Sequence, residues 1–528
     1  MSAAAPASPT TSGKLTVRDA AFAVFRHFGV DALFGNPGST ELPMLRALPD
    51  GFDYVLGLNE AVVLGMADGY AQVTGRPALV NLHSSAGTGH ALGNLFTAYR
   101  NGTPLVVTAG QQARSILPLD PFLGAERATE FPRPFVKWSA EPLRAEDVPA
   151  ALVRAFHIAL TPPMGPVFVS VPVDDWDREC EMPVLPLLSL KTLPDPAGLA
   201  RLAALLDGAS RPALVLGTGV ARCGGWQAAI DLAEAAGADV WAAPFAAREV
   251  FPEDHPRFAG FLPAFREEIV RLLDPYDALL VAGAPVFTYH AEGFGPHWPE
   301  HAALGVLSED PQHLSYLPGG LGVLGDVGAG LASLAATVSR RPAPAPCPRA
   351  APPAVGMRAD YVLSRLAAQR PADSILVEEA PTARGPMHDH LPVLTQRGFF
   401  TCASGGLGYG LPAAVGVARG SAARKTIALL GDGSAMYTIQ GLWSAAEQGA
   451  DVSFVVLNNG RYAALDHFAK VFNMNSLPGT QIGGIDFVGM AESMGVPARR
   501  VEDVSSLDEA LEWTLAVTGP SLIELVIE

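Results

Sequence analysis

Two sets of residues in this 528-residue chain combine types and spacings that can do chemistry. In KTIALLGDGSAMYTIQGLWSAAEQGADVSFVVLNNG, residues 425–460, one apolar strand runs into Gly431-Asp432-Gly433-Ser434 and a second ends at Asn458-Asn459. A right-handed crossover of about 30 residues returns the chain in the same direction. Asp432 and Asn459 should therefore emerge side by side at one sheet edge, where a carboxylate and an amide oxygen suit a hard cation such as Mg²⁺. Gly431 and Gly433 let backbone amides approach closely, and a helix expected over 437–449 would offer its positive end to phosphate. The second set lies near the amino end. Asn36-Pro37-Gly38-Ser39, Glu60 and His83 each follow an apolar stretch that reads as a strand. Ser39 could be only a helix cap, Glu60 could only oppose a helix dipole, and His83 could be an inert strand-end residue. Three such residues converging on one rim point instead to a site.

The elements that must position these residues are legible. Short β-branched runs alternate with alanine-rich helical stretches throughout, as in the strands expected over 77–83, 104–110, 165–172, 213–219, 277–285, 303–308 and 521–528 and the helix over 60–72. Continuous apolar strands separated by helices imply parallel sheets covered on both faces. Two proline-rich stretches, residues 182–196 and 340–353, cut the chain. The expectation is α/β: a loose tail over 1–13, three doubly wound domains over 14–182, 197–339 and 356–528, and a linker over 340–355. Ligands of such sheets sit at the carboxyl ends of the strands.

Composition narrows the function. Apolar residues make up 49% and charged residues 17%, enough for large cores and too ordered a balance for a disordered chain. The net charge of −17 would repel a polyanion, so nucleic acid is excluded as a partner. Four scattered cysteines make neither a disulfide framework nor a zinc site. No export signal and no run of 18 apolar residues is present, so a cytoplasmic protein without a membrane span is expected. In His388-Asp389-His390 the histidines diverge on a helix and lack a third ligand, which favours surface or packing roles. Gly217-Thr218-Gly219 lacks the spacing of a dinucleotide fingerprint, so no FAD is expected.

The GDG…NN pair, with NPGS, LNE, NLHSSAGTG, FPRPFVKW, VSVPVDDWD, GAPVFTYH and ASGGLGYGLPAAVG, resembles the thiamine diphosphate-dependent 2-oxo acid decarboxylases, in particular the benzoylformate decarboxylase group, over nearly the whole chain. The resemblance implies thiamine diphosphate and Mg²⁺, with Ca²⁺ as a substitute, lying across the interface of a homo-oligomer that is at least a dimer and in the family a tetramer. It implies that Glu60 hydrogen-bonds the cofactor pyrimidine and activates it. Ser39 would bind the substrate carboxylate, and His83 and His290 would handle protons, in an order left open. Leu407 would support the cofactor and the Gly405 carbonyl would face its amino group. Asp432, Asn459 and the Arg461 carbonyl would hold the metal. Asn36, Gly38, Thr382, Gly431, Gly433, Ser434, Tyr437 and Tyr462 complete the implied cofactor contacts. Leu123, Thr401, Leu465 and Phe468 complete the implied substrate pocket with Ser39, His83 and His290. The sequence departs from the pattern at Thr401, where the family has phenylalanine, and at Pro381 and Arg384, which replace small hydroxyl residues. The implied reaction is benzoylformate to benzaldehyde and CO₂; the alternatives are another 2-oxo acid, a carboligase, or a non-catalytic homologue.

Overall fold

The structure, a computed structural model, describes residues 15–342, 344–421, 423–474 and 477–528. The tail expected over 1–13 lies outside the described residues. Three six-stranded sheets, each parallel throughout, organise the rest. In the first, the strands run in the order Asp53–Leu56, Ala32–Gly35, Ala78–Leu82, Leu105–Gln111, Val167–Pro172, Ser139–Ala140. In the last, the order is Phe399–Thr401, Ile375–Glu379, Thr426–Gly431, Val452–Asn458, Ser521–Val526, Ala498–Val501. The middle sheet runs Phe258–Phe261, Asp239–Ala242, Pro212–Leu216, Ala278–Ala282, Ala303–Ser308, Leu321–Leu324.

The central strands are buried along their length, Ala78–Leu82 and Ile375–Glu379 among them, because helices cover both faces. The apolar runs that suggested doubly wound sheets therefore bury their side chains as that fold requires. Among the described residues no helix is long and apolar enough to cross a membrane.

One contact fixes the first domain on the last. Helix Glu60–Thr74 packs on helix Gly410–Gly420 with almost no side chain between them. A Cβ at Gly69 would stand 2.2 Å from the Ala413 carbonyl oxygen, and one at Gly416 would stand 1.9 Å from that of Met66. Glycine at both positions lets the two backbones meet, and one apolar core runs through the contact, including Met66, Leu411 and Val415.

The helix expected over 437–449 is divided. The structure has a short helix at Asp432–Met436 and another at Gly441–Glu447. Buried Thr438 lies in the turn between them and donates its hydroxyl to the Gly408 carbonyl at 3.1 Å. That bond ties the turn to the loop before helix Gly410–Gly420, so tertiary contact overrides the helical pattern.

Candidate active site

At the carboxyl edge of the first sheet, polar side chains pair with one another. Strand Ala32–Gly35 leads into the turn holding Asn36, Gly38 and exposed Ser39. Asn59 caps helix Glu60–Thr74 through a hydrogen bond from the Ala61 amide, 2.8 Å, which sets Glu60 as its first residue. Buried Glu60 accepts from Asn36 Nδ2 at 3.4 Å, and its other oxygen lies 3.1 Å from His90 Nδ1. His83 ends strand Ala78–Leu82 and precedes helix Ser84–Asn101, capping none of its amides. Its Nδ1 lies 2.9 Å from Glu41 Oε2 and 3.2 Å from the Thr40 hydroxyl. A Cβ at Gly38 would fall 2.1 Å from that ring nitrogen, so glycine there makes room for the imidazole.

Glu41 and His90 were not foreseen in the sequence. Glu41, fully enclosed, accepts from the amides of Gly38 (2.9 Å) and Gly110 (3.1 Å) and from the Thr40 hydroxyl (2.6 Å) while it faces His83. It thereby fixes both the Asn36–Ser39 turn and the histidine. A local clue was present: Glu41 follows Gly38 by three residues, the reach of a carboxylate back to a turn amide.

The edge of the last sheet is built differently. Strands Thr426–Gly431 and Val452–Asn458 are neighbours, so Asp432 and Asn459 do emerge together. Asp432 is buried, and its oxygens accept from the backbone amides of Gly433 and Gly460, both at 2.7 Å. Burial raises its pKa from the usual carboxylate value, and these amides pull the other way. The Asn459 side-chain oxygen accepts from the Arg461 amide at 3.1 Å. A Cβ at Gly433 would lie 2.3 Å from the Tyr462 ring, so only glycine lets that ring close over the turn.

Over this edge lies a cavity of two adjoining chambers. One, of 690 Å³, is lined by Gly431, Asp432, Gly433, Ser434, Tyr437, Asn459, Arg461 and Tyr462, with Leu465 and Phe468. The other, of 610 Å³, runs toward Phe261, Arg384 and Cys402. His290, Thr382, Gly405, Leu407 and Phe468 border both. His290 reaches this place because its backbone amide is tied to the Ala264 carbonyl at 2.9 Å, and its ring packs on Phe468 with centroids 4.3 Å apart.

Another buried acid escaped the sequence reading. Glu379, at the end of its strand, accepts from the Gly408 and Gly410 amides at 2.6 and 2.7 Å. It holds the loop that carries Gly405 and Leu407. Burial pushes its pKa up to about 8, against the pull of those amides.

Four of the residues expected in the pocket, Ser39, His83, Leu123 and Thr401, line neither chamber. Thr401 lines neither chamber: it is buried, donating to Glu378 at 2.8 Å and accepting from Arg384 at 2.8 Å. Arg384 needs a carboxylate and a small hydroxyl beside it, and these draw Thr401 into the wall. Burial alone would raise the Glu378 pKa, but the Arg384 guanidinium, the Ala380 amide and the Thr401 hydroxyl together outweigh it and hold the acid low. Leu123 sits on a first-domain loop whose flanking carbonyls, Phe122 and Gly124, accept from Gln112 and Ser85 at 2.8 and 3.0 Å. His388 stacks on Phe261 at 4.6 Å and pairs with Glu253 at 2.6 Å, one of the roles expected for it, and it also borders the second chamber. Neither chamber is lined by any first-domain residue; Ser39, Glu60 and His83 form a rim of their own.

The residues at the last-sheet edge fit a metal diphosphate. Among the described residues no three His, Cys, Asp or Glu side chains converge on a metal position. The donors at hand are a carboxylate, an amide oxygen and a backbone carbonyl, the hard oxygens that Mg²⁺ takes alongside phosphate oxygens. Gly433 adds no side chain of its own, so the Tyr462 ring can lie against the turn beside these donors.

Comparison with known proteins agrees with this geometry. Residues 15–127 match the family described as thiamine pyrophosphate enzyme, N-terminal TPP binding domain. Residues 199–334 match its central domain, and residues 383–525 its C-terminal TPP binding domain. The three sheets and their edges thus define a thiamine diphosphate enzyme. The chain is 41% identical over 521 residues to a benzoylformate decarboxylase of Pseudomonas aeruginosa, covering 97% of this chain and 98% of that one. Among solved structures, the 4-hydroxybenzoylformate decarboxylase of Rhodococcus jostii RHA1 superposes with a TM-score of 0.94 at 40% identity, covering 97% and 99% of the two chains. The benzoylformate decarboxylase of Polynucleobacter necessarius gives 0.93 at 37%, covering 97% and 98%. The chain belongs to the thiamine diphosphate-dependent 2-oxo acid decarboxylase family.

Proposed function

We propose that this protein removes CO₂ non-oxidatively from an aromatic 2-oxo acid of the benzoylformate type, with thiamine diphosphate and Mg²⁺, and that it works as a homo-oligomer. The observation that carries the substrate class is the end of the cavity beside the cradle. There His290 lies against Phe468, with Leu407 and Leu465 adjoining, an aromatic and aliphatic wall around one titratable ring. The names of the Pseudomonas and Rhodococcus relatives support an aromatic side chain.

Bound thiamine diphosphate would supply the carbon nucleophile and electron sink that loss of CO₂ from a 2-oxo acid requires. Asp432, Asn459 and the Arg461 carbonyl would hold its Mg²⁺, and Ser434, Tyr437 and Thr382 would meet the diphosphate. Leu407 would support the ring system, on the loop that Glu379 fixes. Glu60 would take and return a proton at the pyrimidine, with Asn36 and His90 as its present partners. Ser39, exposed at its turn, would bind the substrate carboxylate. His83 and His290 would move protons at the reacting carbons, His83 with Glu41 orienting its ring.

The cradle cavity has no first-domain lining. The first-domain rim of a second copy would therefore complete it, bringing Ser39, Glu60, His83 and Leu123 to the substrate. A dimer is the smallest working unit, and a tetramer would pair two of them.

A panel of benzoylformate, phenylpyruvate, pyruvate and branched-chain 2-oxo acids, with aldehyde as the product measured, tests the reading. Benzoylformate should give the highest kcat/KM. A preference for pyruvate would overturn the aromatic assignment, and no CO₂ from any of them would overturn the enzymatic one.

A further inference from the structure

Where the three domains meet, away from the cradle, lies a separate cavity of 180 Å³. Its walls come from the end of helix Glu60–Thr74, from residues 101–104, from Arg222 and Arg248 of the middle domain, and from Gln396 and Arg397 of the last. Three arginines line it, and none of its lining residues is an acid. The nearby acids stand behind the wall. Glu309 pairs with Arg222 at 2.6 Å, and Glu249 accepts from the Arg397 amide at 2.7 Å. Asp68 is covered by Gln72, Asn101 and Thr103, which all donate to it.

Arg248 is the anomaly. Only 9% exposed, it stacks over Phe400 at 5.3 Å, yet its Nε is buried without a hydrogen-bond acceptor among the described residues. Its nearest carboxylate oxygen, on Glu249, is 3.8 Å away, beyond hydrogen-bond reach. A guanidinium carries five donors in a planar fork, and burying one of them without an acceptor is costly. Burial lowers its pKa, as do Arg222 and Arg397 nearby, while Glu249 raises it. The missing partner is thus a small acceptor that fits between three guanidinium groups, bears negative charge, and offers several oxygens in one plane or tetrahedron.

We propose that this cavity binds one small oxyanion, inorganic phosphate or a short carboxylate, held by Arg248 with Arg222 and Arg397. Because each arginine belongs to a different wall and two domains supply them, with the first domain closing the space, the anion clamps the three domains together. The site is independent of the decarboxylase reading and of the cradle.

The test uses the protein saturated with thiamine diphosphate and Mg²⁺, so that the cradle cannot take up the added anion. Its thermal midpoint is followed against phosphate, and separately against acetate, at ionic strength held constant with chloride. Wild-type protein should show a saturable rise with at least one of the two, and the one that saturates at lower concentration identifies the anion class. Arg248→Met should raise the half-saturating concentration at least about tenfold, as expected for loss of charged hydrogen bonds. Arg365→Met, on a surface ion pair with Asp508, should leave it unchanged. Should Arg248→Met fail to fold, Arg397→Met, whose side chain is more exposed, takes its place with the same expected direction. A midpoint that follows ionic strength alone for both anions, or the same saturation curve in the arginine variants, would overturn the proposal and leave water as the occupant.

Discussion

At the edge of the first sheet, Glu60 faces His90 and Asn36, and Glu41 faces His83 and Thr40. At the edge of the last, Asp432 faces backbone amides, those of Gly433 and Gly460 at 2.7 Å and those of Asn459 and Arg461 beside them. The difference lies in what each partner can exchange. An imidazole can give up or accept a proton near neutral pH, whereas a backbone amide can only donate a hydrogen bond. In the proposed function the first rim would be a set of proton-handling pairs, and the last a fixed oxygen suited to a cation. The two sets lie apart in one chain: the cradle cavity has no first-domain wall, and under the proposed function a second copy would bring them together.

Substitutions at the two edges should fail in different ways. Glu60→Gln keeps the shape and removes the proton; steady-state kinetics should show kcat down about 10²–10⁴-fold with cofactor affinity unchanged. A variant within tenfold of wild type would break the proton-handling side of the contrast. Asp432→Ala should do the reverse. Cofactor titration should show its half-saturating concentration raised by about 100-fold, the scale for losing a charge-assisted contact, with much of kcat regained at saturation. Glu41→Gln touches no substrate in this scheme but loosens the His83 pair. It should lower kcat by about 10-fold and shift the pH profile, while its fold and cofactor affinity hold.

The smallest effect concerns a carboxylate behind the wall of the separate cavity. Asp68, fully enclosed, accepts from Gln72, Asn101 and Thr103, and burial pushes its pKa up to about 6 despite those bonds. Between the ordinary carboxylate value and about pH 6 the folded chain keeps this proton while the unfolded chain has lost it. Stability should therefore fall as pH rises across that window, by at most about 3 kcal/mol, and level off above it. Urea denaturation of wild type and Asp68→Asn at several pH values checks the sign: the variant should lack this part of the slope.

How much of this was legible in the sequence follows from how local each feature is. Asp432 and Asn459 could be placed together because one crossover fixes neighbouring strands, and the structure pairs those strands. The three sheets were legible because each apolar run is buried within its own layer. Glu41 was not, because its partners converge from the Gly38 turn, the Gly110 strand end and His83, which tertiary folding alone assembles. Thr401 was expected in the pocket by resemblance, but Arg384, one of the sequence's own departures, holds it in the wall. The division of the 437–449 helix was hidden for the same reason: the Thr438–Gly408 bond links residues 30 apart.

The central claim is that the proton-handling rim of one chain works on the cradle of another. Mixing Glu60→Gln with Asp432→Ala protein, each inactive alone at ordinary cofactor concentration, tests it directly. After dissociation and reassembly, half of randomly paired dimers are hybrid, and each hybrid holds one site with neither substitution. The account predicts that about a quarter of wild-type turnover returns. A mixture that forms hybrids by native mass spectrometry yet stays as inactive as its parents would contradict it, because both halves would then belong to the same chain.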